Sequence, residues 1–448
     1  MSTVAVKQPN FFARHWPVLS FVGVFVLFVV TVLVRDPLRS FLAMQRVNSA
    51  LPIARAAGVP ITGRDVYPDP PANIPNAAPL MEKAFIAARK LDSKRRTPII
   101  YYATTIKRPG IDEAMKIAQP AIELSHKAAA IGACHFNDDA DRANLLEFPK
   151  EGQTKFLINL LCVDAEMHAE KGDWKLATDG LRDARTLSSY MNFPSMTVLY
   201  LRATSEQMIQ QATELCVAKA NPEALDAYAQ IAKDETQLDF LQYFKGAAFG
   251  EIAIAKNIDK SNYNVEDADF KNKFDTKEIP DNWRSREAMA QELKSYAKIL
   301  NELKGTGSER MKVKLALHNF AERHYEEVSV GRYYLLGNQS NYSDLYDVTL
   351  KPQANWRCLQ VVIGALQYKA KHGSLPTTMA EAIGKDVLDP FTGKPLNYKV
   401  VGSNLRVYSV APDGTDNKGM RMNEVGAARG SMTYDLAATY PPMQKLRP

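Results

Sequence analysis

The chain has 448 residues, 46% of them hydrophobic and 24% charged, with a formal net charge of +6 at pH 7. These values are ordinary for a globular protein of two or three domains and exclude a low-complexity chain. The positive charge is modest and spread out, which argues against a nucleic-acid partner.

Residues Pro17 to Val34 read PVLSFVGVFVLFVVTVLV, without a charge. As a helix rising about 1.5 Å per residue they extend roughly 27 Å, enough for a bilayer core. Arg14, His15 and Trp16 on one side and Arg35 on the other supply interfacial cations and an aromatic ring. A cleaved signal peptide has a shorter apolar region and a small-residue cleavage site. Here Arg35-Asp36-Pro37-Leu38-Arg39 follows, with no Ala-x-Ala pattern. The expectation is one uncleaved transmembrane anchor that meets the lipid bilayer through residues 17–34, with residues 1–35 as tail and anchor. Lys7, Arg14 and the amino terminus on one flank nearly balance Arg35, Arg39 and Arg46 on the other. The count leans slightly toward a cytoplasmic bulk, so charge leaves both orientations open.

Asp36-Pro37 reads as an N-cap and first helical residue of a helix running to about Ala57 and ended by Gly58. A Pro-rich loop (Pro60, Pro68, Pro70, Pro71, Pro75) precedes a helix opened by Asn76-Ala77-Ala78-Pro79-Leu80 and running through Leu91. The densest basic stretch follows: Arg89, Lys90, Lys94, Arg95 and Arg96, then Lys107 and Arg108. A solvated helix end is its simple reading, and anionic headgroups near the anchor the functional one. Residues 110–132 have a helical pattern in which Pro120 marks a break or kink. The region 36–150 is thus an N-terminal helical segment.

Residues 151–350 form a helical-hairpin region. Thr154 to Tyr190 gives two amphipathic helices joined at Glu170-Lys171-Gly172-Asp173-Trp174. Small residues at Ala165, Ala177 and Ala184 fall at a spacing that lets paired helices approach, as in tetratricopeptide-type repeats, although only one copy is visible. Helices are expected over 194–219 and 222–256. The polar stretch 257–282 is a long loop, and helices resume over 283–303 and 309–327. A loop with Gly337, Asn338, Asn341 and Asp344 leads to a last long helix, about 354–372.

From Gly373 the pattern changes. Leu396 to Val400 and Leu405 to Val410 are β-type runs separated by Gly402-Ser403-Asn404, a hairpin signal. Asp389-Pro390 and Pro412-Asp413-Gly414 are turns. The four cysteines, Cys134, Cys162, Cys216 and Cys358, form no Cys-x-x-Cys pair and sit among apolar neighbours, as small core residues do; a periplasmic bulk would leave a disulfide open, with no pairing chosen by the sequence.

Residues 355–420 resemble the C-terminal half of the major pseudopilin of type II secretion systems. The likeness rests on Gly373-Ser374-Leu375-Pro376 after the helix, on Asp389-Pro390-Phe391-Thr392-Gly393-Lys394-Pro395-Leu396, and on Tyr408-Ser409-Val410-Ala411-Pro412-Asp413-Gly414. No prepilin peptidase site precedes the apolar run and no Glu lies in it, which separates the chain from filament subunits. The whole chain is similar to an uncharacterised family of planctomycete-type bacterial membrane-anchored helical proteins. The shared pieces are Asn76 to Leu80, Ala133-Cys134-His135-Phe136, Gly172-Asp173-Trp174 and Asp389 to Leu396. The pseudopilin resemblance implies calcium at Asp413 and Asp416, with Asn417 as a helper; the alternative is an Asx turn that closes the hairpin.

His318, Glu322 and His324 lie close on one helix, but a zinc-protease helix needs His at i and i+4. His135, beside Cys134 and followed by Asn137, Asp138 and Asp139, has no supporting local motif. No Gly-x-Ser-x-Gly, Walker-type or dinucleotide glycine pattern is present.

The expected architecture is mainly α: a single N-terminal transmembrane helix, a stacked helical-hairpin domain, and a small C-terminal α+β module (351–448) with a pilin-like helix and β-hairpin. The expected role is a non-enzymatic binding or scaffold subunit of the bacterial inner membrane, with other envelope proteins as partners and a periplasmic bulk. The alternatives are an accessory protein of a secretion or pilus-like assembly, and an enzyme with dispersed active-site residues.

Overall fold

The computed structural model describes residues 11–68, 70, 73–100, 110–136, 149–233, 238–256, 283–306, 309–327, 342–420 and 435–441. Among them the chain is mainly helical, with one small three-stranded sheet. The expected loop at 257–282 lies outside the described residues, as do Lys107, Arg108 and Asn137 to Asp139.

The first helix, α1 (Phe11–Ala57), runs unbroken through both the apolar stretch and Pro37. Asp36-Pro37 is therefore not a helix start. A helix already running into Pro37 gives up about one backbone bond there, whereas a fresh terminus would leave four N–H groups to satisfy. The apolar part of α1 is long enough to cross a membrane, and none of its described side chains is buried against the rest of the chain. Burial begins at Ala43 and continues at Val47, Ala50, Leu51 and Ala54, a helical stripe. That stripe packs along α11 (Trp283–Thr306).

The helical body continues with α2 (Gly63–Val66), α3 (Ala78–Ala88), α4 (Ser93–Ile100), α5 (Ile111–Ala129), α6 (Pro149–Lys171), α7 (Trp174–Ser189) and α8 (Met196–Val217). Pro120 sits inside α5 without ending it. Helices α6 and α7 pack on each other and both touch α8. Ala165, Ala177 and Ala184 are fully buried, and a Cβ on Gly180 would stand 3.4 Å from that of Ala165. The close approach expected from the small residues is present in this hairpin.

The single helix expected over 222–256 is two: α9 (Leu225–Lys233) and α10 (Phe240–Lys256). Asp239 supplies the reason, since its Oδ1 accepts from the amides of Leu241 (2.9 Å) and Gln242 (3.3 Å) as an N-cap does. Next come α11, α12 (Arg310–Glu327) and α13 (Tyr342–His372). The last long helix thus starts twelve residues before Ala354, takes in Asp344, and passes through Pro352. Its extra turns are held by burial of Tyr342, Asp347, Thr349 and Leu350.

A short helix, α14 (Met379–Ile383), leads to β1 (Asn397–Val401) and β2 (Asn404–Ser409), joined at Gly402-Ser403. The expected hairpin gains a third strand, β3 (Leu436–Tyr440), antiparallel to β2 with Val407 opposite Ala438. Strands β2 and β3 lie on α13. Buried apolar side chains form one continuous cluster from Val47 to Ala438, crossing the positions at which the sequence divides the chain. A smaller cluster of Leu350, Ala354, Phe391, Ala411 and Leu436 sits beneath the turns of the sheet.

Candidate functional site

The Asp389 turn explains the Asp-Pro-Phe-Thr-Gly-Lys-Pro-Leu run. Asp389 is buried, and its Oδ1 accepts from the Phe391 amide (2.8 Å) and from the Ser409 hydroxyl (2.9 Å). Its Oδ2 accepts from the Val410 amide at 3.3 Å. One carboxylate therefore closes its own turn and ties it to the end of β2.

The acidic loop follows directly. Asp413 Oδ1 accepts from the Thr415 amide (3.1 Å), and Asp416 Oδ1 accepts from the Lys418 amide (2.7 Å). Both are Asx turns. The Tyr408 hydroxyl also bonds to Asp416, and its pKa is pushed up to about 12, mainly by burial. A third carboxylate faces them. Asp435, just before β3, accepts from the Gly419 amide through Oδ2 at 2.7 Å. Its Oδ1 is buried without a hydrogen-bond partner. Burial, and repulsion from Asp416 and Asp413, push the Asp435 pKa up to about 6.

Calcium takes six to eight oxygens. Here Asp413 and Asp416 each turn an oxygen onto their own loop, and among the described residues no three His, Cys, Asp or Glu side chains assemble to hold an ion. The described side chains of this loop therefore do not supply the donor set that calcium takes. What the loop can do is exchange a proton at Asp435 near neutral pH.

The other sequence candidates lie apart. His318 Nε2 pairs with Glu322 at 3.3 Å on an exposed face of α12. The side chains of His324 and Asp138 are outside the described residues. His135 stacks on Tyr67 with ring centroids 4.2 Å apart, and its Nε2 is 3.2 Å from the Pro68 carbonyl. Asn76 clamps the same residue by its main chain, donating to the His135 carbonyl (2.7 Å) and accepting from the His135 amide (2.9 Å). The Asn76 motif is thereby a structural tie. All four cysteines are buried and free, and burial raises the thiol of Cys134 to about 12.

Buried polar groups that sequence reading missed join distant elements. Asp347 takes a two-pronged contact from Arg310 (2.7 and 3.0 Å) and one from Lys314 (2.5 Å). Arg310 also donates to the Pro412 carbonyl at 2.8 Å, bringing α12 and α13 to the acidic loop. Glu214 on α8 accepts from the Thr439 amide of β3 at 2.9 Å. The Trp356 indole N–H donates to buried Glu206 at 3.1 Å, with the Arg185 guanidinium 4.5 Å above the same ring. Glu251 accepts from the hydroxyls of Tyr296 and Tyr342. Between α5 and α7, His126 meets Asp183 at 2.6 Å, and this contact raises the pKa of the imidazole.

Two members of the basic stretch are tied to the body, while Arg89, Lys90 and Lys94 are exposed. Arg95 pairs with Asp92 (2.8 Å) and Glu113 (3.2 Å), and Arg96 lies over the Phe156 ring at 5.2 Å.

No protein-family profile, curated protein or solved structure matches this chain.

Proposed function

We propose that the chain is a non-enzymatic, membrane-anchored binding or scaffold subunit of a bacterial cell envelope. The observation that carries this reading is the passage of α1 from an exposed apolar span into a buried stripe of the body without a break. Such a helix couples the body rigidly to the bilayer, as a platform requires. In the buried clusters, Asp347, Glu214, Glu206 and Asp389 each take a partner from another element, which is the pattern of structural ties. We read α6 to α9 as stacked hairpins, whose extended faces suit protein partners, and the segment from α13 to β3 as a pilin-like module. On that analogy the bulk lies on the periplasmic face of the inner membrane. Alkaline phosphatase fused after Pro448 tests the orientation. Active enzyme supports it; an inactive fusion beside a fluorescent cytoplasmic one overturns it.

A second reading is an accessory role in a secretion or pilus-like assembly. The long helix feeding an antiparallel sheet through the Asp389 turn favours it. Co-purification with pseudopilins from a host membrane should enrich them, and no enrichment removes this reading.

A further inference from the structure

Past the apolar span, α1 presents two opposite faces. At about 100° of turn per residue, Ala43, Val47, Ala50 and Ala54 fall within about 60° of one another and form the stripe buried along α11. Leu38, Phe41 and Leu42 fall on the other side of the helix, centred about 155° away, and are 52%, 59% and 44% exposed. Large apolar side chains grouped in this way mark a surface that something other than water covers. The exposed stripe continues one face of the span. Val24, Leu27 and Val34 lie within about 40° of Leu38 around the helix and are themselves exposed. Beyond Leu42 the same face turns polar, at Gln45 and Ser49.

The nearby charges stand toward the body. Asp36 and Arg39 fall about 160° and 100° around the helix from Leu38. Arg35, about 60° away, has a side chain long enough to carry its guanidinium out of an apolar layer. On the body side the apolar run therefore stops at Asp36, whereas on the opposite side it reaches Leu42, about 9 Å further along the axis. A boundary that slants across a helix in this way is that of a helix crossing at a tilt. From Pro17 to Leu42 the helix is roughly 38 Å long, against about 30 Å of hydrocarbon, and tilting accommodates such an excess.

We propose that Leu38, Phe41 and Leu42 lie in the apolar edge of the bilayer, so that α1 crosses at a tilt with this face toward the lipid and the body on the opposite, outer side. The occupant of the stripe is lipid, by continuity with the span. A second copy of the chain fits it less well. The stripe covers little more than one turn, short for a paired helix, and it holds no small residue that would let two helices approach closely. Three side chains add little affinity beside the span; what they set is the angle at which the body stands. The inference rests on the membrane-anchor reading of α1 and holds on whichever side the body lies.

The test uses the full chain in phosphatidylcholine vesicles, with a fluorophore on one introduced cysteine at a time. Leu27→Cys reports the span, Leu38→Cys and Leu42→Cys the stripe, and Ser49→Cys the polar turns that follow. The native cysteines are buried, so the label goes to the introduced one. Phosphatidylcholine brominated on its acyl chains quenches a label that touches lipid, and iodide on both sides quenches one that touches water. The expected result is lipid quenching at the Leu27, Leu38 and Leu42 sites, with several-fold less iodide quenching there than at the Ser49 site. Adding Phe41→Ser should raise iodide quenching at the Leu42 site and leave the Leu27 site unchanged. Iodide quenching at the Leu38 and Leu42 sites equal to that at Ser49, with lipid quenching kept at Leu27, overturns the tilted contact and leaves the anchor. Protection of the two stripe sites from both quenchers assigns the stripe to protein and overturns the lipid contact. Absence of lipid quenching at the Leu27 site removes the anchor and the tilt with it.

Discussion

Asp435 is 1% exposed, has one oxygen on the Gly419 amide and the other without a partner, and faces two further carboxylates. Its folded pKa of about 6 lies above the ordinary 3.8. Between those values the folded chain holds a proton that the unfolded chain has lost, so stability falls as pH rises from about 4 to 6 and is level above. Asp435→Asn keeps an acceptor for Gly419 and removes the buried charge. We expect it to flatten that decline and to stabilise the chain at pH 8 by on the order of 2 kcal/mol. Thermal melts at pH 5 and pH 8 check this, and an unaltered pH slope contradicts it. Asp413 and Asp416 were legible because they neighbour one another. Asp435 was not, because a strand pairing returns it to them from nineteen positions away.

At the scale of elements, helix packing turns on single glycines. A Cβ placed on Gly246 of α10 would lie 1.4 Å from the Pro194 carbonyl oxygen, which precedes α8. Gly246→Ala must displace one of the two backbones, and we expect a loss of about 1–3 kcal/mol or more. Gly152 on α6 has nothing within 4 Å of such a Cβ, so Gly152→Ala should be neutral or stabilising by up to about 1 kcal/mol. Chemical unfolding of the two variants side by side measures the difference; equal effects would refute the tight approach. Helix existence followed from apolar periodicity, as in α7 and α11. The break at Asp239 and the early start of α13 did not, because capping and burial of neighbouring turns outweigh local propensity there, and α1 passes Pro37 at the cost of about one backbone bond.

For the whole molecule, the buried face of α1 begins at Ala43, while none of the described side chains before Asp36 is buried. A chain starting at residue 36 should therefore leave the membrane fraction yet keep its helical circular-dichroism signal and a cooperative melt. Loss of the melt would mean that the apolar segment also stabilises the body. The continuous core from Val47 to Ala438, and ties such as Glu214 to Thr439, make the body and the sheet one cooperative unit in this expectation.

The sequence by itself determined the apolar span, the helical character of the body, the close approach of α6 and α7, and the β1–β2 turn. Each rests on local spacing: uncharged length, apolar period, small residues at fixed intervals, or Gly at a tight turn. Only the tertiary structure decided where charge meets charge. It tied Arg95 and Arg96, two members of the densest basic run, into the body, and it gathered Arg39 and Arg284 at the Trp283 ring and Arg286 at Ser40 from opposite halves of the chain. Such pairings are set by which helices pack together, a property of the assembled core that no window of neighbouring residues contains.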